Sequence, residues 1–121
     1  MATIRDVMST DLISVSPGAT VAEAATVMGT GKVGAALVLD GDRLAGIFTE
    51  RDILRALASD FDAARHLVSH WMTRDPVSLT PDADASEALD LMLDRGFRHV
   101  AVLEDGRVVG VVSLRDVTPR D

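Results

Sequence analysis

The chain has 121 residues, of which 47% are hydrophobic and 3% aromatic, and its formal net charge is −7. This length suits one compact domain that buries roughly two-thirds of its unfolded surface. The negative charge argues against nucleic acid or an anionic membrane surface as a partner. The absence of cysteine excludes disulfides, thiolate metal ligands and a cysteine nucleophile. With no apolar run near the about 18 residues of a membrane span and no leader-like start, we predict a soluble, cytoplasmic protein.

The first elements are a short helix and a short strand. A single capped helical turn is predicted at residues 3–8, and an extended piece at residues 12–16 ends at Pro17. Thr20 and Glu23 form a capping-box pattern that opens an amphipathic helix. Its core-facing stripe is predicted to be Val21, Ala24, Ala25 and Met28.

Two strands and another helix follow. The Asp40-Gly41-Asp42 sequence predicts a tight turn between the strands, and Gly46 within the second strand indicates a bulge or the close approach of a ribose or a neighbouring helix. After Asp52, a helix is predicted with an apolar stripe, and residues 62–70 are predicted to bridge onward, partly as helix. The stripe consists of Ile53, Leu54, Leu57 and Phe61.

The whole pattern then occurs a second time. Residues 46–52 read Gly-Ile-Phe-Thr-Glu-Arg-Asp, and residues 110–116, 64 positions later, read Gly-Val-Val-Ser-Leu-Arg-Asp. The same shift superposes other matching positions without a gap. They include Met8 on Met72, Asp11 on Asp75, Pro17 on Pro81, Glu23 on Glu87 and Met28 on Met92. Two copies of one supersecondary unit are therefore predicted, at residues 1–59 and 60–121.

Each copy of this heptad has the form of a strand running into the first turn of a helix. A hydroxyl residue, Thr49 or Ser113, stands at the expected N-cap, and an aspartate, Asp52 or Asp116, follows three residues later. One interpretation is a nucleotide site, with phosphate at the helix start and ribose hydroxyls on the carboxylate. The other is a duplicated capping box. The motif alone leaves both open.

The order of elements in each repeat resembles the CBS domain (cystathionine-β-synthase-type domain), which occurs in tandem pairs called Bateman modules. The resemblance covers nearly the entire chain and both copies of the motif. It implies a mixed α/β fold of two pseudo-symmetric repeats, each a small sheet packed with two helices. It also implies that adenine nucleotides or related adenosyl ligands bind in clefts between the repeats. The residues that would meet ribose and phosphate are Thr49, Arg51, Asp52, Ser113, Arg115 and Asp116.

The same resemblance suggests further contacts. Residues just after the Met-x-x-x-Asp element line the adenine pocket in this family, although edge-strand packing is an equally good explanation for them here; they are Leu12, Ile13, Pro76 and Val77. Arg98 and His99 stand where the first repeat has Gly34 and Ala35. A guanidinium beside an imidazole suits a phosphate, whereas the alternative is a solvated arginine and a half-buried histidine.

No other catalytic or metal-binding pattern is found. His66 and His70 are four residues apart but lack a third ligand, and no Walker loop or serine elbow occurs. Segment 29–34 suits a helix C-terminal stop better than a phosphate loop. Because Pro119 shortens the last helix, we expect an apolar surface there that a second copy of the chain covers, giving a homodimer.

The sequence therefore predicts a regulatory module and not an enzyme. It would sense AMP, ADP, ATP or S-adenosylmethionine, with no cofactor or metal required, and signal occupancy to an unknown protein partner. The alternative is a scaffold for interaction or dimerisation whose ligand sites are vestigial. The sequence does not select among the adenosyl ligands.

Overall fold

The computed structural model describes residues 2–118. The helices are α1 (Ile4–Val7), α2 (Val21–Gly31), α3 (Glu50–Ser59), α4 (Val68–Trp71), α5 (Ala85–Arg95) and α6 (Leu114–Val117). The strands are β1 (Ser14–Val15), β2 (Ala35–Asp40), β3 (Arg43–Thr49), β4 (Thr73–Arg74), β5 (Ser78–Leu79), β6 (His99–Glu104) and β7 (Arg107–Ser113). Pro119, on which the expected apolar dimer surface depends, lies outside the described residues.

These elements form two compact units, each with its own sheet and core. The first-repeat unit is Ile13–Pro76, and the second-repeat unit joins the residues up to Leu12 to those from Val77 onward. Aliphatic side chains dominate both cores. Met28 and Met92 are each 2% exposed, as expected for core-filling residues.

The sheet of the first-repeat unit has the strand order β1-β2-β3-β4. Strand β1 is parallel to β2, whereas β2 and β3 form an antiparallel hairpin whose turn places Gly41 at φ 63°. The pairing shifts between Val38, opposite Gly46, and Leu39, opposite Leu44. The predicted turn and the irregularity beside Gly46 are both present.

The sheet of the second-repeat unit has the order β5-β6-β7 and the same register. Its pairing also shifts where Val102 lies opposite Gly110 and Leu103 lies opposite Val108. The predicted mixed α/β fold of two repeats is therefore confirmed.

Helices α2 and α5 begin with different caps. Thr20 Oγ1 accepts the N–H of Glu23 at 3.1 Å, and Glu23 Oε1 accepts the N–H of Thr20 at 3.3 Å, which is the predicted capping box. In α5, Asp84 instead accepts the N–H of Ser86 at 3.1 Å, two residues on. The second repeat thus has an Asx-type bond to the residue two positions on, where the first repeat has a capping box.

The residues that lead into each repeat pack against the helix start of the other repeat; we call residues 2–11 and 66–75 the lead segments. In the first lead segment the N–H of Ile4 donates to Ala83 O at 2.8 Å, and in the second the N–H of Val68 donates to Ala19 O at 2.8 Å. Ile4 and Val68 are fully buried. Each compact unit thus contains the body of one repeat and the lead segment of the other.

Three of the four residues in the apolar stripe predicted after Asp52 lie on the surface. Ile53 packs on the core together with Ala56, but Leu54, Leu57 and Phe61 are 69%, 47% and 99% exposed. The cap at the end of β3 fixes which face of the helix turns inward. The apolar spacing therefore marks a surface strip here. The bridge beyond α3 contains a 3₁₀ turn and α4, and is partly helical as predicted.

Candidate functional site

The first copy of the motif is a complete capping box at the start of α3. Asp52 Oδ2 accepts the N–H of Thr49 at 2.9 Å and its hydroxyl at 3.1 Å. In return the N–H of Asp52 donates to Thr49 Oγ1 at 3.3 Å. The capping role that the sequence suggested is therefore present in the structure, and it uses one of the two carboxylate oxygens.

The other oxygen of Asp52 also has a partner. Arg55 Nη1 lies 3.3 Å from Asp52 Oδ1, one turn along the same helix. The Asp52 side chain is 6% exposed, whereas that of Arg55 is 62% exposed. A buried carboxylate requires hydrogen bonds or a counter-charge, and here it has both.

The second copy of the motif is less enclosed. The N–H of Ser113 donates to Asp116 Oδ2 at 2.8 Å in the equivalent cap. Asp116 is exposed. Among residues 2–118 no cation forms an ion pair with it. No cation of the described residues therefore contacts its Oδ1 atom, in contrast to Oδ1 of Asp52.

The strand before each motif lies directly beside it. Strand register places His99 opposite Ser113, and the N–H of Leu114 donates to Arg98 O at 2.8 Å. Arg98 is exposed and His99 half-buried. The structure thus brings the predicted phosphate pair together with the second motif.

The first repeat has the same arrangement but without basic side chains at these positions. Ala35 lies opposite Thr49, and the N–H of Glu50 donates to Gly34 O at 3.0 Å. Each first-turn N–H bonded in this way has its acceptor and is not available to a phosphate. The exposed Arg51 and Arg115 follow on their helices.

The four predicted adenine contacts lie at or just before the first strand of each repeat. Leu12 and Val77 are 37% and 39% exposed. Ile13 packs on the first-repeat core, and its carbonyl accepts the N–H of Leu37 at 2.9 Å. Pro76 is half-buried. A contact with adenine stays a prediction for all four.

The repeated glycines are explained by close packing with repeated methionines. A Cβ built on Gly46 would lie 2.6 Å from Met72 Sδ and 2.6 Å from Thr73 O, and one on Gly110 would lie 2.5 Å from Met8 Sδ. The group that approaches each glycine is therefore a lead segment, and no ribose is needed to explain it. The signal was visible in the sequence, since Met8 and Met72 recur with the same 64-residue shift.

Two of the three histidines belong to a network that sequence reasoning did not find. Trp71 Nε1 donates to His66 Nδ1 at 3.1 Å, and His66 Nε2 lies 3.0 Å from Asp60 Oδ2. Because indole only donates, Nε2 carries the proton of the neutral ring and donates to Asp60. The N–H of Asp62, and then His66, hold the pKa of the Asp60 carboxyl below its usual value. The His70 ring packs edge-on against both aromatic neighbours.

Within residues 2–118 no group of three metal-ligating side chains is found, and no helix is long and apolar enough to span a membrane. A shallow groove on the second-repeat unit is lined by leucines and carboxylates. These residues are Leu79, Glu87, Asp90, Leu91, Leu93 and Asp94. Three carboxylates make this groove unsuited to a phosphate ligand.

Comparison with known proteins finds the CBS domain. The family model matches twice, at residues 4–59 and 68–119. A 17.7 kDa protein of Acidianus ambivalens is 39% identical over 117 residues, which are 94% of this chain and 70% of that protein. The CBS domain-containing protein YhcV of Bacillus subtilis is 35% identical over 118 residues, covering 97% of this chain and 84% of that protein.

Solved structures show the same architecture. The CBS-domain containing protein ATU1752 from Agrobacterium tumefaciens matches with a TM-score of 0.89 and 33% identity, covering 96% of each chain. The CBS domain pair of protein MJ0100, in complex with 5′-methylthioadenosine and S-adenosyl-L-methionine, has a TM-score of 0.87 and 25% identity, over 96% of this chain and 92% of that one. CBSX2 in complex with AMP has a TM-score of 0.82 and 25% identity, over 97% and 93%.

Proposed function

Because this chain belongs to the CBS-domain family and carries the domain twice, we propose that it is a regulatory module that binds an adenine nucleotide or a related adenosyl ligand. Residues 1–59 and 60–121 would act together, and ligand occupancy would be passed to a protein partner. The observation that carries the proposal is the duplicated Gly-h-h-[Thr/Ser]-x-Arg-Asp motif, where h is apolar, in the same local geometry twice. The complexes of MJ0100 and CBSX2 support the ligand class.

The proposed contacts follow the chemistry of an adenosine phosphate. Asp52 and Asp116 accept hydrogen bonds from ribose hydroxyls through Oδ1, since Oδ2 serves the cap in both. Cationic and hydroxyl groups near the motifs meet the phosphates, and apolar residues near β1 and β5 meet the adenine. The phosphate residues are Thr49, Arg51, Ser113, Arg115, Arg98 and His99, and the adenine residues are Leu12, Ile13, Pro76 and Val77.

Thermal melting against AMP, ADP, ATP, S-adenosylmethionine and NAD tests this proposal. A ligand at about a hundred times its Kd stabilises the native state by roughly 2.7 kcal/mol, which raises Tm by several degrees in a chain of this size. We expect at least one ligand to produce this shift, and the double variant Asp52→Asn/Asp116→Asn to lose it. A flat panel would contradict the proposal.

The capping role of the two aspartates requires a matched control. Asp6 caps α1 in the same manner, with its Oδ2 2.9 Å from the N–H of Thr3, but lies outside the motif. Loss of a cap costs about 0.5–2 kcal/mol without any ligand. Asp6→Asn should therefore retain the ligand-induced shift in Tm. If it loses the shift as completely as the double variant does, the ligand role of Asp52 and Asp116 is refuted.

A second candidate function, dimerisation as a scaffold, is favoured by the exposed strip of Leu54, Leu57 and Phe61 on and after α3. Sedimentation at micromolar concentration should show a homodimer for the wild type and a monomer for Leu54→Ser/Phe61→Ser. Leu93→Ser is the control, since Leu93 is 69% exposed, as is Leu54. A wild-type monomer would count against this candidate and leave ligand binding unaffected.

A further inference from the structure

The two copies of the motif differ in how much of their aspartate is available. Oδ1 of Asp52 is 3.3 Å from Arg55 Nη1 and is enclosed, whereas Oδ1 of Asp116 has no ion-pair partner among the described residues and is exposed. A ribose hydroxyl that approaches Asp52 must displace a guanidinium. The corresponding approach to Asp116 displaces no cation of the described residues.

This difference is also encoded in the sequence. The position 64 residues after Arg55 is Pro119, whose side chain carries no charge. The second repeat therefore has no cation at the position equivalent to Arg55. The distance in the first repeat is longer than the about 2.7–2.9 Å typical of a strong charge-assisted hydrogen bond, so the pair weakens ligand binding without abolishing it.

The charges beside the two motifs also favour ligand binding at the second repeat. Beside Ser113 stand Arg98 and His99, and the first helical residue is the neutral Leu114. Beside Thr49 the corresponding residues are Gly34 and Ala35, and the first helical residue is the carboxylate Glu50. A phosphate is attracted by the first set and repelled by Glu50 in the second.

We infer that Arg55 is an intramolecular competitor for Asp52, so that the adenosyl ligand fills the second-repeat motif first and the first-repeat motif only at higher concentration. The inference rests on the proposed function. It assigns to Arg55 the role of setting the concentration range over which the second molecule of ligand binds.

Isothermal titration with AMP, ATP and S-adenosylmethionine, each separately, tests the inference. For at least one of them the wild type should bind one equivalent tightly and a second at least about tenfold more weakly, a difference of about 1.4 kcal/mol. Asp116→Asn should remove the tight equivalent. Arg55→Ala should tighten the weak equivalent about tenfold, and Arg55→Ala/Asp52→Asn should remove it again. Circular dichroism checks that each variant is folded.

Arg95→Ala is the matched control, because Arg95 also lies on a helix surface and its side chain is 59% exposed. It should leave both binding steps unchanged. Two equal sites in the wild type, or a weaker first-repeat site in Arg55→Ala, would overturn the inference while leaving the proposed function in place. The second result would mean that Arg55 contacts the ligand. No binding of any of the three probes would overturn both.

Discussion

The close contact between each motif glycine and a methionine leads to a quantitative prediction for Gly46→Ala and Gly110→Ala. Neither glycine is among the described residues with positive φ, so the added methyl group acts through sterics alone. At Gly46 it would meet Met72 Sδ at 2.6 Å and the backbone Thr73 O at 2.6 Å. At Gly110 it would meet Met8 Sδ at 2.5 Å, but the nearest backbone oxygen is 3.0 Å away.

The two substitutions should therefore differ in cost. Overpacking costs about 1–3 kcal/mol. We assign Gly46→Ala to the upper end, about 2–3 kcal/mol, because a carbonyl in a paired strand cannot move aside. We assign Gly110→Ala to the lower end, about 1 kcal/mol, because a methionine side chain adjusts readily. At roughly 4 °C per kcal/mol for this chain length, Tm should fall by about 8–12 °C and about 4 °C respectively.

Thermal denaturation followed by circular dichroism measures both shifts. Gly18→Ala is the control, because a Cβ on Gly18 has nothing within 4 Å and should leave Tm unchanged or slightly raised. Double-mutant cycles separate the clashing atoms. Met8→Ala should relieve most of the cost of Gly110→Ala, whereas Met72→Ala should relieve only part of that of Gly46→Ala. Equal costs at the two glycines, with equal relief, would refute the reasoning.

Two further predictions concern helix caps, one at the start of α1 and the other at the end of α2. The backbone N–H of Thr3, and then its hydroxyl, hold the pKa of Asp6 below the ordinary 3.8. The carboxylate therefore stabilises the fold fully at a pH above its unfolded-state pKa. This stabilisation is lost as the pH falls through the lower folded-state pKa. The Tm difference between wild type and Asp6→Asn should be constant from about pH 7 to about pH 5 and shrink below about pH 4; a difference that widens in acid would contradict the assignment. At the C-cap of α2, Lys32 has φ 55°, where α5 has Gly96 at φ 77°. Lys32→Gly should therefore stabilise the protein by roughly 0.5–1 kcal/mol, and an unchanged or lowered Tm would disprove this.

The sequence was sufficient to predict the features that depend on neighbours along the chain. The caps at Thr20 and Thr49, the turn at Gly41 and the end of α2 before Lys32 all involve residues within four positions of each other. The 64-residue self-match predicted two equivalent units, and the resemblance to the CBS domain implied their mixed α/β fold. Six of the candidate ligand residues stand in the duplicated motif, whereas the others came from the resemblance to the CBS domain. Of these others, Arg98 and His99 lie beside Ser113 in the structure.

The features that were missed depend on contacts between distant residues or on the orientation of a helix. Apolar spacing alone could not show which side of α3 is buried, since Leu54 and Ile53 are adjacent and equally hydrophobic in character. The pairing of Arg55 with Asp52 could not be predicted from the repeat, because Arg55 has no counterpart in the second copy. The bond from Trp71 to His66 depends on the chain turn between them.

The exchange of lead segments has a consequence for how such a chain could arise. A peptide that ends at residue 59 would hold the body of one unit and the lead segment of the other, and so would complete neither. Two copies of an ancestral half-length peptide could still build both units by exchanging their lead segments. Gene duplication and fusion would then place both lead segments, and their exchange, within a single chain. The buried Ile4 and Val68 are the residues that hold each lead segment against its unit.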